Sequence, residues 1–208
     1  MRRIGDFLAL LPLFPLDVVL IPGTPLPLHI FEPRYKEMIA ECLADTSPFG
    51  VIRALEEGIA EIGCTAEIVT VTKHYSDGRM DLVAEGRNRF EVLELNRDRS
   101  FLRGEILLVP DEPEAPSDED KARAIQAHRD ILSLAGAVQD LSAADLSVLS
   151  FYLAGSLPID LDFKQKLLAM RSESLRIQAV AAYLESILPN LRRATRAREK
   201  AGGNGHAR

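Results

Sequence analysis

The sequence predicts an α+β protein in which a β-rich half closes into a barrel and an α-helical half follows. Three observations carry this reading. Up to about residue 110, apolar residues come in short or alternating runs between turn signals, as strands require; beyond it they recur every three to four positions, as helices require. The change falls on Pro110-Asp111-Glu112-Pro113-Glu114-Ala115-Pro116, an acidic, proline-rich linker. Two of the strands also swap their apolar face part-way, which a flat sheet does not need and a bulged strand turning a barrel corner does.

Taken in order, Leu10–Leu16, Val18–Ile21 and Leu26–Phe31 open the chain as strands whose prolines confine them to edges or strand ends. Pro33 suits the first position of a helix with an apolar stripe of Tyr35, Met38, Ile39, Cys42 and Leu43. Phe31 is placed to staple the start of that helix, and Asp45–Pro48 stops it. Strands follow at Phe49–Ala54, Ile62–Tyr75, Met80–Glu85, Arg89–Asn96 and Phe101–Val109. Ser76-Asp77-Gly78-Arg79 joins two of them as a hairpin, with Asp-Gly supplying the positive φ of a primed turn. Within Ile62–Tyr75 the apolar side moves from Ile62, Cys64, Ala66 and Ile68 to Val69, Val71 and Tyr75; Phe90 and Val92 give way to Leu93 and Leu95 in the same manner.

Past the linker, Ser117–Asp120 reads as a capping box opening a helix to about Val138. Ser142 caps a second helix to Ala154, Asp162 a short third to about Met170, and Ser172 a fourth. The fourth carries Leu175, Ala179 and Ala182 beside Ile177, Val180, Leu184 and Ile187. The expected division is a barrel over 1–109, a linker over 110–117, a helical bundle over 118–191 and a basic tail without order over 192–208.

The chain has 208 residues and a net charge of −6. Six basic residues against Glu199 give the last seventeen residues a net +5, which leaves −11 for the rest. An acidic body is a poor general nucleic-acid binder, because neutralising phosphates needs a basic face. Cys42 and Cys64 are too few for a disulfide framework and read as core thiols in a reducing compartment. The apolar run behind Arg2-Arg3 imitates a signal peptide, but Pro12 and Pro15 break it and no small-residue cleavage site follows. No proline-free apolar stretch reaches membrane length, so the expected location is the cytoplasm, with no membrane contact.

Motifs of cofactor chemistry are absent: there is no GxxxxGK[ST], no GxSxG and no HExxH, and Gly-x-Gly occurs only at Gly203–Gly205. His29, His74, His128 and His206 lie on separate segments without ligand spacing. His29 and His74 read as strand residues with local hydrogen bonds, and Glu56-Glu57 as solvated. No cofactor, metal or catalytic constellation is expected.

One stretch is distinctive: Leu11-Pro12-Leu13-Phe14-Pro15-Leu16, Val19-Leu20-Ile21-Pro22-Gly23, then Leu26-Pro27-Leu28-His29-Ile30-Phe31-Glu32-Pro33-Arg34-Tyr35. It closely resembles the opening of the Lon substrate-binding (N-terminal) domain, and Phe49-Gly50-Val51, Ile62-Gly63-Cys64, Asp77-Gly78-Arg79 and Gly86-Arg87-Asn88-Arg89-Phe90 continue the resemblance in order. The resemblance implies a PUA-like β-barrel with one inserted helix, then a helical bundle. It also implies a non-catalytic recognition module for exposed or unfolded protein segments, without the ATPase and peptidase parts of a Lon protease. On that basis Leu16, Leu26, Leu28, Glu32, Arg34 and Tyr35 are the candidate substrate-binding residues. Plain structural jobs compete: Leu26, Leu28 and Ile30 would fill a barrel, Arg34 would pair with Glu32 or Glu37, and Gly23 and Gly63 would meet backbone constraints.

Two other functions remain open. Arg87, Arg89, Arg97, Arg99 and Arg103 could form a basic rim for RNA, as PUA-like barrels often bind RNA, although Glu85, Glu91, Glu94, Asp98 and Glu105 are interleaved. The chain could instead act as an adaptor or regulator of a separate Lon protease, or assemble with itself through the bundle.

Overall fold

In the computed structural model, residues 7–138 and 148–203 are described; the expected cap Ser142 and both chain ends lie outside them. The strands are β1 (Phe7–Leu16), β2 (Pro25–Ile30), β3 (Phe49–Leu55), β4 (Gly58–Ile59), β5 (Ile62–His74), β6 (Met80–Asn96) and β7 (Leu102–Leu108), with α1 (Pro33–Asp45) between β2 and β3. Helices α2 (Asp118–Leu134), α3 (Leu149–Gly155), α4 (Leu161–Ala169) and α5 (Glu173–Gly203) follow.

The strands pair in a cycle. β1 pairs with β7, β7 with β6, β6 with β5 and β5 with β3, all antiparallel, and β3 returns to β1 in parallel. β2 lies outside the cycle against the first half of β6, an edge position its two prolines tolerate. β1 is not an edge strand, contrary to the expectation from Pro12 and Pro15. β7 takes the stretch up to Leu13 and β3 takes it from Leu13 onward, so each proline keeps one side unpaired and only Leu13 is bonded on both.

The expected bulges are present. The β5–β6 register slips between Ile68 and Thr70, and the β6–β7 register between Val92 and Glu94. Met80–Glu85 and Arg89–Asn96 are one continuous strand. The β5–β6 connection is a three-residue loop rather than a primed two-residue turn: the Tyr75 N–H reaches the Arg79 carbonyl at 2.9 Å, and Gly78 supplies the left-handed residue at φ 80°. Val18–Ile21 is not a strand. It leads instead into a turn tied to β6, where the Gly23 N–H donates to the Gly86 carbonyl and the Gly86 N–H to Thr24. A Cβ on Gly86 would stand 2.5 Å from the Ile21 carbonyl oxygen, so only glycine allows that approach.

The core inside the cycle is built on Leu11, Leu13, Ile52, Phe90 and Ile106. α1 buries Tyr35, Met38, Ile39 and Cys42 and ends at Thr46, a non-glycine residue at φ 49°. Leu43 stays partly exposed, and Phe31 is 57% exposed, stacked on His29 rather than stapling the helix.

The chain divides into two compact units, Met1–Asp111 with Gly155–Arg171, and Glu112–Ala154 with Ser172–Arg208. The helical region expected over 118–191 is thus split, because α4 packs with the strands. Asp162 pairs with Arg53 on β3 at 2.5 Å, Gln165 donates to the Ile62 carbonyl, and the buried Arg89 of β6 donates to the carbonyls of Leu168 and Met170. With Asp162 so engaged, the α4 cap is Asp160, which accepts the Phe163 N–H at 2.9 Å.

In the second unit, Ser117 caps α2 as expected, accepting the Asp120 N–H at 3.1 Å. Arg123 grips Glu185 with two hydrogen bonds, tying α2 to α5. Ser172 caps α5, whose Ile177, Val180 and Leu184 are buried while Leu175 is exposed. Residues 192–203, expected to lack order, continue α5. Arg176 is fully buried with Glu173 and Ser150, and its guanidinium lies 4.3 Å over the Phe151 ring.

Candidate functional site

Helix α1 begins at Pro33 because proline needs no N–H at a first helical position, and this fixes Arg34 and Tyr35 on its first turn. Tyr35 faces inward, its ring 4.1 Å from that of Phe14 on β1, and burial pushes its hydroxyl pKa up. Arg34 lies outside, 4.6 Å over the Tyr35 ring and 2.8 Å from the Glu32 carboxylate. Glu32 was the expected alternative to Glu37 as its partner, and Glu32 it is.

Arg34 and Tyr35 line one side of a pocket of about 380 Å³. Pro15, the β4 residues Gly58 and Ile59, Leu95 at the end of β6, and Arg97, Arg99, Ser100, Phe101 and Leu102 complete it. The loop 97–101 is held to α1: Arg99 reaches Glu37 and Glu41, and the Ser100 hydroxyl donates to Glu37 at 2.6 Å. Those two donors hold the Glu37 carboxyl below the usual carboxylate range. Among the described residues, Arg97 forms no ion pair or side-chain hydrogen bond. The lining therefore combines apolar side chains with three arginines.

The other expected residues lie elsewhere. Leu16 sits half-buried at the end of β1 beside Arg53. Leu26 and Leu28 are half-buried on one side of β2, in line with the fully buried Ile30, and neither lines the pocket. Glu32 does not line the pocket; its carboxylate pairs with Arg34, which does. Ile59, Leu95, Ser100, Phe101 and Leu102 were missed as site residues, while Arg97 and Arg99 were expected only in a basic rim for RNA. Two arginines around Asp98 gave no hint that α1 shares their pocket.

Of the five arginines read as an RNA rim, Arg97 and Arg103 form no ion pair among the described residues, and the other three are engaged. Arg87 is held by Glu67 and Glu85, Arg89 is buried, and Arg99 is taken by Glu37 and Glu41. A separate aromatic cluster holds His29 of β2 and Tyr75, just past β5: His29 hydrogen-bonds Asp81 of β6 at 2.5 Å, a bond across strands rather than the local one expected, and Tyr75 donates to the same carboxylate. Among the described residues no group of histidine, cysteine and carboxylate side chains could hold a metal ion, and no helix is long and apolar enough to cross a membrane.

The family described as the ATP-dependent protease La (LON) substrate-binding domain matches residues 10–186, most of the chain. The chain belongs to the Lon substrate-binding domain family. This Lon substrate-binding domain is 28% identical over 197 residues to the Lon protease of Anaeromyxobacter dehalogenans, covering 86% of this chain and 23% of that one. It is 29% identical over 148 residues to the Lon protease of Parabacteroides distasonis, covering 67% and 18%. The chain thus spans about a fifth of the length of these proteases. Its fold matches the crystal structure of a Lon N-terminal domain protein from Xanthomonas campestris with TM-score 0.69 and 28% identity, over 85% of this chain and 99% of that one.

Proposed function

We propose that this chain is a non-catalytic, PUA-like barrel module of the cytoplasm that binds exposed or unfolded protein segments, and that the pocket beside Arg34 is where a segment docks. The observation that carries the reading is the pocket itself: in a family named for substrate binding, it combines Ile59, Leu95 and Phe101 with solvent-facing arginines. At about 380 Å³ it lies within the ~300–1,000 Å³ of ligand sites, and its mix of apolar wall and few polar groups suits one or two side chains of an extended peptide. The segment could be handed on to a separate protease. RNA is the weaker reading, since most arginines of the supposed rim are already paired or buried.

The test is a fluorescence-anisotropy titration with a permanently unfolded polypeptide, its folded parent and a single-stranded RNA, at several salt concentrations. Saturable binding of the unfolded probe alone, weakened by Arg34→Ala, is expected. Binding of RNA alone, collapsing with salt, overturns the proposal.

A further inference from the structure

The pocket lining holds three guanidinium groups, Arg34, Arg97 and Arg99, and no carboxylate, in a chain whose net charge is −6. The three are not equivalent. Arg34 is neutralised by Glu32, and Arg99 by Glu37 and Glu41, all of which sit outside the lining. Arg97 has no such partner among the described residues, so the pocket carries one uncompensated cation. The same lining holds Ile59 and Leu95, together with Phe101, which is buried with the Arg99 guanidinium 5.3 Å over its ring.

We propose that Arg97 makes this pocket selective for polypeptide segments in which a carboxylate adjoins a bulky apolar side chain. The inference rests on the peptide-binding reading above and adds the chemistry of the segment. An apolar side chain gains by leaving water for the partly exposed Ile59 and Leu95. A carboxylate gains a charge-assisted, two-pronged contact with a guanidinium that is not already shared. A segment with several adjacent negative charges gains less, because Glu32, Glu37 and Glu41, bonded to Arg34 and Arg99 of the lining, repel the second charge. A phosphate polymer fails for the same reason. The carboxylate can come from an aspartate or glutamate side chain or from a chain's C-terminus; the contact is the same.

The experiment uses the full chain and three fluorescein-labelled nonapeptides, titrated by anisotropy. The first has one glutamate between two leucines and an amidated end, the second has glutamine in its place, and the third is the glutamine peptide, ending in leucine with a free carboxylate. The glutamate peptide should bind about tenfold more tightly than the amidated glutamine peptide, the margin of one hydrogen bond to a charged group. Arg97→Gln should abolish that preference, bringing the glutamate and amidated glutamine peptides to the same affinity, and Arg97→Lys should keep part of it. If the third peptide also gains and loses its gain in Arg97→Gln, a chain end serves as the source; if only the first does, a side chain is the source. Equal binding of all three peptides, or a preference that survives Arg97→Gln, overturns the selectivity while leaving peptide binding in place. Failure of every peptide and of the unfolded polypeptide to bind overturns the underlying reading and the selectivity with it.

Discussion

Phe90 lies directly against the backbone of Gly63. A Cβ at Gly63 would stand 2.5 Å from Phe90 Cζ and 2.7 Å from the Val51 carbonyl oxygen, where β5 passes between β3 and β6. Phe90 is fully buried and cannot swing away. Gly63→Ala is therefore expected to cost about 1–3 kcal/mol by overpacking, read from urea unfolding. Phe90→Leu combined with Gly63→Ala should cost less than the two separate losses added, because the smaller side chain relieves one clash; the Val51 carbonyl keeps the relief partial. Strict additivity would mean that the ring and the glycine do not touch.

Arg89 holds α4 to the strands. Its guanidinium is 3% exposed and meets the carbonyls of Leu168 and Met170 and the carboxylate of Asp111, which is 29% exposed. Arg89→Met keeps the side chain's bulk and deletes its donors. The expected loss is about 2–4 kcal/mol, below the ~3–5 of a wholly enclosed pair because Asp111 keeps contact with water. Hydrogen exchange should show α4 opening before the strands do. Unchanged stability and protection would count against this tether.

His128 on α2 is fully enclosed, and burial, with a smaller contribution from Arg129, pushes its pKa below the ordinary value near 6.5. The unfolded chain therefore binds a proton that the native chain refuses. Stability is fully present above about pH 6.5 and falls as the pH drops from there toward the lower folded pKa. His128→Gln should flatten the urea midpoint between about pH 6.5 and 5 relative to the parent. The carboxylates held low by partners, such as Asp81 and Glu185, act in the same direction but only near and below pH ~4, so the two effects separate on the pH axis. A parent chain with no slope above pH ~5 would mean that the histidine is not kept neutral.

Cys64 is enclosed, and burial raises its thiol pKa to about 12; burial also raises that of Cys42. Neither presents a thiolate near neutral pH. A disulfide reagent should leave both untouched in the folded chain and titrate both in urea. Rapid labelling of either thiol without denaturant would show that its surroundings open easily.

Where residue chemistry is local, the sequence announced it. Pro33 starts α1, Ser117 and Ser172 cap their helices, and the face swaps after Ile68 and Val92 mark real register slips. What stayed hidden depends on partners remote in the chain. Pro12 and Pro15 argued for an edge, and only the half-overlap of β3 and β7 on β1 makes an interior place possible. Asp162 looked like a cap, and Arg53, more than a hundred residues earlier, claims it. Of the expected site, Arg34 and Tyr35 reach the pocket while Leu26 and Leu28 lie on β2 away from it, and the stretch from Arg97 to Leu102 could not be joined to α1 without the tertiary fold.

Arg34 and Tyr35 are neighbours with different work, and their variants should separate. Tyr35 is 7% exposed and packed on Phe14, so Tyr35→Ala opens a cavity at a predicted cost of about 3–5 kcal/mol, whereas Tyr35→Phe should be nearly silent in stability. The Arg34–Glu32 pair is about half-exposed, and such a pair contributes only ~0–1 kcal/mol, so Arg34→Ala should leave the melting temperature almost unchanged. If the pocket binds protein segments, the same Arg34→Ala chain should weaken the unfolded probe several-fold, because it removes both a cation and the planar cover over Tyr35. A folded Arg34→Ala chain with undiminished binding would move the docking site away from α1. The aromatic cluster of His29, Phe31 and Tyr75 would then be the next surface to alter, since Phe31 is the more exposed apolar side chain there and Phe31→Ala can be made without touching the core.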